Sequence, residues 1–182
     1  MRGLNLMNNS LKQICINLIL IILAFTIQSC VFPLMPFLST YPNLLLILIF
    51  SFGFIRGSRS GMAYGLVAGI LMDLSSGGPL GFYTLLFVWM GYANGICTKY
   101  YYEDYITLPL VLCALNELAY NFYVYVFGFL IRGRLDLGYY LVNIILPETI
   151  FTVVTTLAVY RLFLFISRKL EEMEKRRDTT IV

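Results

Sequence analysis

The chain has 182 residues, 59% of them hydrophobic and 13% charged, with a net charge of +3 and a mean hydropathy of +0.80. An average soluble domain is about 45–50% apolar and about 25% charged. The composition therefore excludes a soluble globule, a disordered chain and a coiled coil, and so small a positive charge argues against nucleic acid as a partner. What remains is an all-α, polytopic integral membrane bundle.

The first element follows from charge spacing. From Gln13 to Ile55 there are 43 consecutive residues without a charge, and a crossing needs about 20, so this run holds two spans. The break falls at Pro33, Pro36 and Pro42, with Ser39 and Thr40 between them, because prolines at that density cannot continue one helix. Pro42 suits the first turn of the second helix. Within the first run, Ile27-Gln28-Ser29-Cys30 loosely resembles a bacterial lipoprotein cleavage box. Gln28 fits such a box poorly and apolar residues continue to Phe37, so an unprocessed segment is expected.

The next block, Ser60 to Thr98, has 39 residues and a single charge, Asp73. Ser75-Ser76-Gly77-Gly78-Pro79-Leu80-Gly81 interrupts it with a strong turn signal, so it reads as a helical hairpin. Two further blocks, Tyr105 to Ile131 and Leu137 to Tyr160, each cross once, the last with a potential kink at Pro147. The expected spans are 14–34, 42–57, 60–75, 80–98, 105–131 and 138–166, a transmembrane domain over 1–166. The second and third spans are expected to tilt little or to thin the bilayer locally.

Orientation follows from the positive-inside rule. With six spans and a cytoplasmic N-terminus, 11 of the 13 lysines and arginines lie inside, and only Arg132 and Arg134 lie outside. A hairpin that fails to cross would leave 6 inside and 7 outside. Both ends are therefore expected in the cytoplasm. Residues 167–182 form a basic cytoplasmic tail. There Glu171 with Lys175 and Glu172 with Arg176 make acid-first i,i+4 pairs, and the basic residues sit near anionic headgroups. Tyr100, Tyr101, Tyr102, Tyr105, Tyr139 and Tyr140 fall at span ends, as an aromatic belt does.

Soluble-enzyme chemistry has little to work with. The chain has no histidine, which removes the usual general base and the commonest metal ligand. Cys15, Cys30, Cys97 and Cys113 are isolated, so neither a zinc site nor a disulfide framework is indicated, and no phosphate-binding glycine loop appears. No catalytic residue, metal or cofactor is expected.

Two features carry functional content instead. Gly61, Gly65 and Gly69 recur every fourth residue with Ala68 beside them, a ridge nearly free of side chain. Such faces let a second helix approach closely, whether it belongs to a partner or to the same chain. Three acids, Asp73, Glu117 and Glu148, lie within apolar blocks, where ionisable residues point to function. Asp73 stands just before the glycine turn, where it meets water or caps the turn. Glu117 has Asn121 one turn on, with Asn116 and Tyr120 beside them. Glu148 follows Pro147, whose missing N–H frees a carbonyl that a neutral Glu148 would bond. Asp73, Glu117, Asn121 and Glu148 are expected to form an intramembrane polar network, structural or on a proton or substrate path.

The stretch Tyr41-Pro42-Asn43-Leu44-Leu45-Leu46, then Arg56-Gly57, then Gly65-x3-Gly69-x3-Asp73 and Gly77-Gly78-Pro79-Leu80-Gly81 resembles the bacterial rod shape-determining protein family MreD. Residues 40–98 carry the motifs, and residues 69–81 are the most specific part. Chain length, six spans, Pro147 and the basic tail also fit. The resemblance implies a non-enzymatic scaffold of the bacterial cytoplasmic membrane. It would bind the bitopic protein MreC and help couple MreB filaments to the peptidoglycan synthase RodA and its penicillin-binding transpeptidase. The family is also distantly similar to the substrate-binding membrane subunits of energy-coupling-factor vitamin transporters. That supplies the alternative reading, which needs a polar pocket open to the outside.

Overall fold

The computed structural model describes residues 2–34, 41–100, 107–128 and 137–158, and every regular element among them is a helix. α1 covers Arg2–Thr26 and continues through a π turn, Ile27–Val31, and a 3-10 turn, Phe32–Leu34. α2 covers Leu44–Arg56, α3 Ser58–Ser76, α4 Phe82–Ile96 and α5 Thr107–Gly128. α6 begins at Leu137–Tyr140, passes through a π turn at Leu141–Ile145 and is α-helical again over 146–158.

α2 is the axis of the bundle. A helix that is apolar all round belongs in the interior, and every residue from Leu45 to Phe54 is buried. It packs against α1, α3, α4 and α5. Its buried N-terminus leaves backbone N–H groups that need acceptors, and each finds one. Leu44 N donates to Pro42 O at 3.1 Å, Leu45 N to Gln28 Oε1 at 3.1 Å, Leu46 N to Asn43 Oδ1 at 3.2 Å and Ile47 N to Asn43 O at 3.1 Å. Pro42 therefore does not begin the helix as expected. It stands one residue ahead of the cap, because Asn43 has the side-chain acceptor a cap requires.

Gly57 alone joins α2 to α3, at φ 87°. Gly77 and Gly81, at φ 64° and 98°, shape the turn between α3 and α4, in the left-handed region that glycine enters without steric cost. Both π turns end two residues before a proline, Pro33 in one case and Pro147 in the other. Phe32 N then donates to Ile27 O, and Leu146 N to Leu141 O. A π turn shifts the hydrogen-bond register ahead of a residue that cannot donate.

Among the described residues, three helical stretches are long and apolar enough to cross a membrane: Gln13–Leu34, Leu108–Gly128 and Gly138–Ala158. α2 has 13 residues and α4 has 15, about 20–23 Å at 1.5 Å per residue, against a hydrocarbon core of about 30 Å. The second, third and fourth expected spans thus correspond to helices at 44–56, 58–76 and 82–96. Thr98 Oγ1 donates to Gly53 O at 3.1 Å, and an added carbon on Gly95 would meet Ser58. These contacts gather Arg56, Arg59 and Lys99 at the end of the bundle opposite the Gly77–Gly81 turn. Pro36, Ser39, Thr40, Tyr101, Tyr102, Tyr105, Arg132 and Arg134 lie outside the described residues, as do the tail and its two ion pairs.

Candidate functional site

The glycine ridge of α3 is occupied by α4 of the same chain. A Cβ on Gly61 would strike Gly91 O, one on Gly65 would strike Phe87 O, and one on Gly69 would strike the Cα of Thr84. The obstruction is backbone in each case, so no side-chain rotation relieves it. α2 enters the same contact, since a Cβ on Gly61 would lie 2.7 Å from the Gly53 Cα and one on Gly53 would lie 2.7 Å from Gly91 O. Gly53, Gly61 and Gly91 form a three-helix junction, and Gly95 extends the α4 side toward Ser58. Gly91 and Gly95 repeat the four-residue spacing of the α3 ridge, the pattern by which a complementary face can be found.

Asp73 is 3% exposed and does not join the other acids. The bonds to its carboxylate all come from the start of α4. Oδ2 accepts from Gly81 N at 2.8 Å, Thr84 N at 3.3 Å and Thr84 Oγ1 at 2.6 Å, and Oδ1 accepts from Tyr83 N at 2.7 Å. The physical reason is the cap residue. Gly81 has no side chain with which to satisfy the first N–H groups of α4, so a carboxylate one turn from the end of α3 does so across the hairpin. It also opposes the positive end of the α4 dipole. Of the readings of Asp73, this is the geometry of the turn cap; among the described residues no hydrogen bond joins it to Glu117, Asn121 or Glu148.

The remaining acids lie along a polar seam between α5 and α6. On α5, Cys113, Glu117 and Asn121 stand four apart, and on α6 Glu148, Thr152 and Thr156 do the same. Four-residue spacing places each trio on one helix face. The two stripes meet in antiparallel register. Cys113 Sγ lies 3.0 Å from Thr156 Oγ1, and Glu117 and Glu148 are electrostatic neighbours with Asn121 and Thr152 beside them. Asn121 Nδ2 also donates to Glu117 Oε1 at 3.3 Å. Glu117 is 0% exposed, and no N–H or O–H reaches its Oε2 with hydrogen-bond geometry.

The seam continues into α2 and α1. Thr152 Oγ1 accepts from Asn43 N at 3.1 Å, and Gln28 Nε2 donates to Asn43 Oδ1 at 3.4 Å. Elsewhere Asn94 and Asn116 exchange bonds of 2.7 and 2.8 Å between α4 and α5, and Asn17 Nδ2 donates to Tyr64 Oη at 2.8 Å between α1 and α3. Gln28, Asn43, Cys113, Thr152 and Thr156 were not among the expected site residues. Their signal is weak in a sequence: neutral polar groups in apolar blocks, two of them in step with Glu148.

Buried polar groups thus join the helices, while large apolar side chains both fill the interior around α2 and cover much of the outer surface. A groove of about 400 Å³ between α4 and α5 is lined mainly by apolar side chains, among them Leu85, Trp89, Phe122 and Phe127.

The family described as rod shape-determining protein MreD matches residues 8–170. No curated protein and no solved structure matches.

Proposed function

The chain belongs to the MreD family and so has a role in rod shape determination, and from that premise we propose that it is a non-enzymatic scaffold of the cell-elongation machinery. In this reading it binds an MreC-like bitopic protein in the bacterial cytoplasmic membrane. Through that partner it helps couple MreB filaments to peptidoglycan synthesis by RodA and a penicillin-binding transpeptidase. The observation that carries the reading is the extent of the family match, which among the described residues takes in most of α1 and all of α2 to α6.

The arrangement of polar groups supports it. Capping, interhelical pairing and the α5–α6 seam use them to fasten helices together, which suits a body that holds partners in place. Six crossings with both ends in the cytoplasm fit the gathering of Arg56, Arg59 and Lys99 at one end and the glycine turn at the other. The short α2 and α4 require local thinning of the bilayer. The apolar α4–α5 groove gives no support to a vitamin-binding subunit, which needs polar groups to orient its ligand.

Co-purification of the full chain from membranes, followed by mass spectrometry, tests the proposal. An MreC-like bitopic protein is the expected companion. Recovery of transporter ATPase subunits in its place would overturn the scaffold reading.

A further inference from the structure

We propose that Glu117 and Glu148 hold a proton between their carboxyl groups, and that this shared proton fastens α6 to α5. Glu117 is wholly enclosed, and Asn121 serves one of its oxygens while the other, Oε2, has no donor. A buried acceptor without a donor costs about 1–3 kcal/mol, and more when it is charged. The second carboxyl beside it, Glu148, has only acceptors to offer when ionised. Two adjacent carboxylates in a low-dielectric interior repel and do not both ionise. One proton removes both difficulties: the neutral acid donates its O–H to the other carboxylate, and the pair carries one negative charge in place of two.

The surroundings suit that remaining charge. Glu148, Asn121 and Thr152 act on the Glu117 carboxyl, and none of the three is cationic. Asn121 contributes amide donors, and the same Thr152 hydroxyl accepts the Asn43 N–H at the α2 N-terminus, the positive end of that helix dipole. A π turn at Leu141–Ile145 lies three residues ahead of Glu148, and π turns recur at functional sites.

The test is infrared difference spectroscopy on the full chain in lipid vesicles near neutral pH, in potassium buffer free of sodium. The wild-type spectrum minus that of E117Q/E148Q is expected to contain the carbonyl band of a protonated carboxyl. A difference spectrum with carboxylate bands alone would overturn the proposal, as would carboxylate bands that shift on addition of sodium, which would make the bridging species a metal cation. Should the double variant fail to fold, the wild-type chain labelled with 13C-glutamate decides the matter. A neutral carboxyl carbon resonance is expected beside those of the ionised glutamates, and its absence would overturn the proposal equally.

Discussion

The Asn43 N–H donates to the Thr152 hydroxyl at 3.1 Å across 109 positions of sequence, bonding the cap of the central helix to the middle of α6. The cap is 2% exposed and Thr152 is fully buried, so water cannot replace either partner. Thr152→Val keeps the shape and removes the acceptor. It is expected to destabilise the folded chain by about 1–3 kcal/mol, the usual cost of an unsatisfied buried donor. Thr152→Ser is expected to stay close to wild type. Thermal unfolding in detergent compares the two, and equal losses for Val and Ser would show that the methyl group matters and the hydrogen bond does not.

Asp73 accepts four bonds from the first turn of α4 through two oxygens. Asp73→Asn replaces one oxygen with an NH2 that confronts donors with a donor. The expected loss is again about 1–3 kcal/mol, visible as a lower unfolding temperature and a lower membrane level. A variant as stable as wild type would show that the cap contributes nothing to the hairpin.

Gly65 and Gly69 face the α4 backbone with no room for a Cβ. Gly65→Leu and Gly69→Leu force the hairpin apart, and overpacking costs about 1–3 kcal/mol or more. Both variants are expected to lose membrane protein level. Gly138→Ala, where nothing lies within 4 Å of the added carbon, is expected to be neutral. Normal levels of the leucine variants with partner binding lost would move the ridge from internal packing to docking.

The proposed orientation places Ser76, exposed at the end of α3, outside the cell. Ser76→Cys, in a chain whose Cys15, Cys30, Cys97 and Cys113 are replaced, is expected to react with an impermeant thiol reagent in intact cells. Reaction only after lysis would contradict the six-span arrangement.

Much of the helical plan is legible in the residues themselves. Charge-free runs locate the apolar helices, and Ser75 to Gly81 marks the hairpin turn. The ridge at Gly61, Gly65 and Gly69 is readable as a close-packing face, yet its occupant is not, because Gly91 lies 30 residues from Gly61 and only the folded hairpin opposes them. The acids divide in the same way. Glu117 and Asn121 share a local face, visible from their spacing. Asp73 serves a cap that exists only because Gly81, on the next helix, lacks a side chain. Gln28 illustrates the limit: it reads as a misfit in a cleavage box, whereas its carbonyl caps Leu45 on another helix. Tertiary capping follows no periodicity along the chain, so no local pattern announces it.

The most direct measurement of a role in rod shape is complementation in cells lacking the native protein, scored by cell width and length with membrane levels of the chain recorded. Restoration of rods by the full chain is the expected result. Cells that stay round while the chain is present in the membrane at normal level would contradict the assignment to the elongation machinery.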